Sequence, residues 1–147
     1  MSSTRRLLPA VRLGGVDEMN DESALLVNWD LFVRTRAELG AGFARILSYF
    51  REDGEKAVEK IEAAMHRRDA VGLVIPAHTM KSEARQFGAD PLGALAEEIE
   101  FGARRAIEGR FFPDELTPQV ARLRPLYMKT MAALDAEANP LRQRNRA

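Results

Sequence analysis

"IPAHTMKSEARQFGADPLGALAEEIE", Ile75 to Glu100, holds two helical patterns hinged on four residues. In the hinge, Gly88 suits a helix C-cap, Asp90 an N-cap, and Pro91 the first helical position. Before it, Leu73, Ala77, Met80, Ala84 and Phe87 share one face; after it, Leu92, Leu95, Ala96, Ile99, Ala103 and Ala106 do the same. Two amphipathic helices joined so tightly pack antiparallel.

The same period extends outward. Asp69 is a candidate N-cap for the first of these helices. Upstream, Leu39, Phe43, Ile46, Leu47, Phe50, Ala57, Ile61 and Met65 recur at three- and four-residue steps, with Gly54 as a possible bend. Earlier still, Asn28 caps a short helix whose Trp29, Phe32 and Val33 are expected to pack inward. Downstream, Thr117-Pro118 opens a helix carrying Val120, Leu123, Tyr127, Met131 and Leu134, and Asn139-Pro140 ends it. No segment reads convincingly as a strand. The pattern predicts an all-α, antiparallel four-helix bundle with a short additional N-terminal helix. Its expected limits are residues 25–138, between a flexible arm (1–24) and a basic tail (139–147).

Composition narrows the function. Lys plus Arg equals Asp plus Glu at 22 each, so no net field attracts nucleic acid or an anionic membrane. The chain has no cysteine, which excludes disulfides, thiolate metal sites and cysteine nucleophiles. "RRLLPAVRLGGV" begins like a signal sequence, but Pro9 and Arg12 interrupt its apolar run. Nothing approaches a membrane span, and a cytoplasmic monomer is expected.

His78 is one of two histidines. It lies about 140° from the core direction of its helix, so it faces solvent. Lys81, Ser82 and Arg85 follow on the same outward stripe; Val71, Val74 and Ile75 precede it. Exposed apolar residues need a cover, supplied either by a neighbouring helix or by a partner. Pro76 removes an amide donor and frees the Gly72 carbonyl, with a kink expected; it either aims His78 or is simply tolerated near the helix start. Glu100 lies about 80° from its own core centre, close enough to the core edge to reach the next helix. His66, with Arg67 and Arg68 at a helix end, reads as structural or solvated. A His66–His78 metal pair would lack a third ligand, so no metal site is expected.

"AHTMKSEARQFGA" followed by "LGALAEEIE" resembles the histidine-containing phosphotransfer (HPt) domain family, specifically a stand-alone member. That family's pattern is His-x-Leu-Lys-Gly-Ser/Ala, an apolar-Gly-Ala step, Leu-x-x-Leu and a Leu-Glu-like ending. His78, Met80, Lys81, Ala84, Phe87, Gly88 and Ala89 fit it, and Leu92, Leu95, Ile99 and Glu100 continue the register. The resemblance spans roughly Trp29 to Leu134. Two positions depart: Ser82 stands for the glycine that lets a partner backbone approach, and Glu83 for a small residue. On the helical wheel, Glu83 points away from the His78 stripe.

The resemblance implies a phosphorelay intermediate of two-component signalling. His78 would carry a phosphoryl group between aspartates of response-regulator receiver domains, without ATP-dependent kinase activity. A neutral imidazole nitrogen is a competent nucleophile near neutral pH. Lys81 would offset phosphoryl charge, Arg85 would assist, and Glu100 would hold the second ring nitrogen. Val71, Val74, Ile75, Ser82 and Arg85 would form the receiver-docking surface. No cofactor is expected in this chain; Mg²⁺ would belong to the receiver, and a hybrid histidine kinase is a further implied partner. A kinase dimerisation domain fits less well, because those place an acid directly after the histidine, where Thr79 stands. A helical adaptor that binds receivers without chemistry is the alternative from another class.

Overall fold

The computed structural model describes residues 22–139. Residues 22–26 are helical and lead into α1 (Trp29–Leu39), α2 (Phe43–His66), α3 (Ala70–Gln86), α4 (Asp90–Gly109) and α5 (Thr117–Ala138). Among the described residues there is no strand, and no helix is long and apolar enough to cross a membrane. Helices α2 to α5 form the bundle: α3 packs against α2 and α4, and α5 closes the ring against α4 and α2. The expected arm lies outside the described residues except for 22–24, which are helical; the tail lies outside beyond Asn139.

The predicted core stripes are buried. Leu73, Ala77, Met80, Ala84 and Phe87 of α3 and its cap meet Leu92, Ala96, Ile99, Ala103 and Ala106 of α4 with no solvent exposure. Each large side chain withdrawn this way contributes about 1.5–3 kcal/mol. At the end bearing α1, Phe32 stands edge-on to Phe43, Phe43 edge-on to Phe87, and Phe87 stacks on Phe50 at 5.5 Å. This aromatic chain fixes the short helix across the bundle end.

Local signals set the helix limits. Asn28 accepts from the Leu31 amide and Asp69 from the Gly72 amide, so both caps form where expected. Gly88 has φ +80°, and its carbonyl accepts from the Asn28 amide at 2.8 Å. A Cβ at Gly88 would lie 2.7 Å from the Asn28 carbonyl oxygen, so a side chain would both strain the turn and displace α1.

Several expectations are corrected. Asp90 is the first residue of α4 and Ala89 the cap position, without a side-chain hydrogen bond. The acid instead lies in the first turn, where the helix dipole favours it. The pattern from Leu39 to Met65 is not one helix, because a 3-10 turn at Gly40–Gly42 separates α1 from α2. Helix α2 runs unbroken through Gly54, whose role is close packing: a Cβ there would lie 2.5 Å from Tyr127 Cε1. Helix α3 continues through Pro76, as the single stripe from Leu73 to Phe87 predicts. Val33 is 52% exposed rather than inward, since α1 covers the bundle end with one face only.

Candidate functional site

His78 sits mid-way along α3 with its side chain half exposed. The hinge at Gly88 returns α4 antiparallel, so contacts nest outward from the turn: Arg85 with Glu97, then His78 and Lys81 with Glu100. Glu100 Oε2 lies 3.1 Å from His78 Nδ1. The same oxygen accepts from Arg104 Nε at 3.0 Å, and Oε1 lies 2.8 Å from Lys81 Nζ. The Glu100 side chain is only 3% exposed. One withdrawn carboxylate therefore gathers an imidazole, an ammonium and a guanidinium.

This arrangement dictates protonation. Burial by itself would raise the Glu100 carboxyl, but hydrogen bonds from Lys81, Arg104 and His78 outweigh it and hold the group below its ordinary range. An ionised carboxylate only accepts, so the facing Nδ1 donates its proton. In the neutral ring Nε2 then keeps the lone pair. Two permanent cations against one carboxylate leave a net positive charge beside the ring.

The structure redistributes the outward stripe. Val71 and Ile75 are about two-thirds exposed, and Ser82 is exposed. Val74 is instead buried, because α3 is flanked by α2 and α4 and its buried arc is wider than one stripe. Lys81 is not an outward cation: its side chain is 14% exposed, tied to Glu100, with Nζ 5.0 Å from the centre of the Phe101 ring. Arg85 bridges to Glu97 across Gly93, where a Cβ would meet the Arg85 stem at 2.9 Å. Arg104 escaped the sequence reading, although its place four residues after Glu100 is an ion-pair spacing that could have revealed it. Ile107 of α4 joins Val71, Val74 and Ile75 in a groove beside the site.

Glu83 turns toward α2, away from His78. One of its oxygens is buried without a hydrogen-bond partner. Burial pushes the carboxyl up to about 7, and the charge of Asp53 adds to the rise. His66 is exposed at the end of α2, remote from this network. Among the described residues no three His, Asp or Glu side chains converge as a metal site.

The family model of the Hpt domain matches residues 45–137, nearly two-thirds of the chain and all four bundle helices. The chain belongs to the Hpt domain family. A phosphotransfer role in two-component signalling follows, since Hpt domains interact with response regulators and kinases. The fold of this Hpt protein is also similar to the crystal structure of histidine-containing phosphotransfer protein B from Pseudomonas aeruginosa PAO1. That match has a TM-score of 0.67 at 21% identity and covers 81% of this chain and 96% of the other. Comparison with curated proteins gives no match.

Proposed function

We propose that this Hpt protein is a phosphorelay intermediate in which His78 Nε2 receives a phosphoryl group from the phosphoaspartate of one receiver domain and delivers it to the aspartate of another. The observation that carries the reading is the contact between Glu100 and His78 Nδ1 beneath a half-exposed ring. With Nδ1 donating to a carboxylate, the nucleophilic lone pair is on Nε2, the nitrogen free of that contact.

In the forward step the Nε2 lone pair attacks phosphorus in line with the acyl-phosphate oxygen. The N–P bond forms, and the P–O bond breaks with its electron pair returning to the receiver's aspartate. The imidazole becomes cationic, and Glu100 stabilises that charge through Nδ1–H. Reversal on a second receiver returns the ring to neutrality. Lys81 and Arg104 hold Glu100 in place and keep the local charge positive, which favours the phosphoryl oxygens. Mg²⁺ is supplied by the receiver.

Val71, Ile75 and Ile107 offer the receiver an exposed apolar landing beside the ring, with Val74 as its floor. Ser82, exposed one turn after His78, is small enough for close approach. Incubation with a phosphorylated receiver is expected to place an acid-labile label on the wild type and none on His78→Gln. Equal labelling of both proteins would refute the assignment to His78. Receiver binding with no label on either would establish an adaptor.

A further inference from the structure

The cations around His78 divide into two groups. Lys81 and Arg104 are bound to Glu100, Arg85 to Glu97, and Arg67 to Asp69. Lys56 and Lys60 of α2 differ. Both are exposed, and neither has a carboxylate within ion-pair distance among the described residues. They are one helical turn apart, about 6 Å along the axis, so they form a single edge.

That edge abuts the site. Lys56, Lys60 and Ala57 line a cleft with Ile75, Pro76 and Thr79 of α3. Ile75 also lines the apolar groove shared with Ile107 and Arg104, and is the ridge between the two. Asp53 contributes the cleft's one carboxylate, so two lysines leave it net positive. The face around His78 is therefore asymmetric. On its apolar α4 side Lys81, Arg85 and Arg104 are each held by a carboxylate; on its α2 side stand two lysines that no carboxylate of the described chain pairs.

We propose that Lys56 and Lys60 determine receiver specificity, by engaging acidic side chains at the rim of the receiver's phosphoacceptor site while Val71, Ile75 and Ile107 take its apolar part. This rests on the phosphorelay reading and adds an orientation to it: the acidic rim lies over α2. Exposed charge of this kind acts on encounter more than on bound-state stability, and its effect falls with ionic strength.

The test compares initial rates of transfer from a phosphorylated receiver across ionic strength. The variants are K56E/K60E and a control, R34E/R122E, which changes net charge equally at exposed positions on α1 and α5. K56E/K60E is expected to slow transfer by about tenfold or more at low salt and to flatten the salt dependence; the control should change the rate by less than about threefold. Phosphoramidate, a small phosphoryl donor, should label His78 equally in wild type and K56E/K60E. Indistinguishable rates and salt slopes for the two charge-reversal pairs would overturn the proposal. Loss of phosphoramidate labelling in K56E/K60E would also overturn it, by placing the lysines' effect on the site and not on docking. If the wild type takes no label from any phosphorylated receiver, the phosphorelay reading fails and this proposal fails with it. Transfer to the wild type with no special effect of the lysines refutes the lysine edge alone.

Discussion

On one side of α3 a carboxylate is withdrawn among cations; on the other, a carboxyl is withdrawn beside an acid. Glu100 meets His78, Lys81 and Arg104, and its pKa falls despite burial. Glu83 meets Asp53, and burial and that neighbour together raise its carboxyl to about 7. Burial pushes both upward, so the difference lies in the partners. Helix α3 brings His78 and Lys81 to Glu100 and α4 itself adds Arg104 one turn on, whereas α2 brings Asp53 to Glu83. The α3–α4 seam is thus held by charge, and the α2–α3 seam tolerates a group that charge disfavours.

The largest expected effect breaks the first seam. Glu100→Ala leaves Lys81 and Arg104 without their common anion and should cost about 3 kcal/mol at neutral pH by urea unfolding, as for a disrupted buried ion pair. Because the folded-state pKa is depressed, this contribution is complete above the unfolded value and disappears as pH falls through the folded one. The gap between variant and wild type should therefore narrow in acid. A cost below about 1 kcal/mol at pH 7 would mean that the hub does not hold the seam.

A smaller effect is expected from Arg104→Gln. Its guanidinium is half exposed and Lys81 remains, so the loss should be about 1 kcal/mol after solvent screening. Phosphotransfer should slow by less than about tenfold, since tenfold corresponds to 1.4 kcal/mol. A loss as large as that of Glu100→Ala would make Arg104, not the carboxylate, the centre of the network.

The smallest effect has the opposite sign. Glu83 has a raised folded-state pKa, so the wild type loses stability as pH rises from about 4.5 to about 7, and the penalty is constant above. Glu83→Gln should stabilise the protein at pH 8 by up to about 1 kcal/mol, with the gain vanishing toward pH 4.5. Thermal melts at both pH values check this. An unchanged difference across the range would show that Glu83 is already solvated.

Much of this was legible in the sequence, and the omissions have physical causes. The core stripes of α3 and α4 followed from the helical period, and the Gly88 turn fixed their antiparallel return. For Glu100 the wheel gave only a place near the core edge within reach of a neighbouring helix; its contact with His78 was implied by the family resemblance. Lys81 and Arg104 were harder: their partners depend on the register between two helices, which no single-helix wheel contains. Val74 was misplaced because a wheel assigns one buried direction to a helix that has two packed flanks. Val33 was misplaced because α1 spans only the bundle end and leaves its far side uncovered.

The central claim is that Glu100 reserves Nδ1 and so directs the phosphoryl group to Nε2. NMR of protein labelled with ¹⁵N in the imidazole ring, before and after phosphorylation by a receiver, measures this directly. The account predicts phosphorus coupling to His78 Nε2, with Nδ1 still carrying its proton. Coupling to Nδ1 would contradict it.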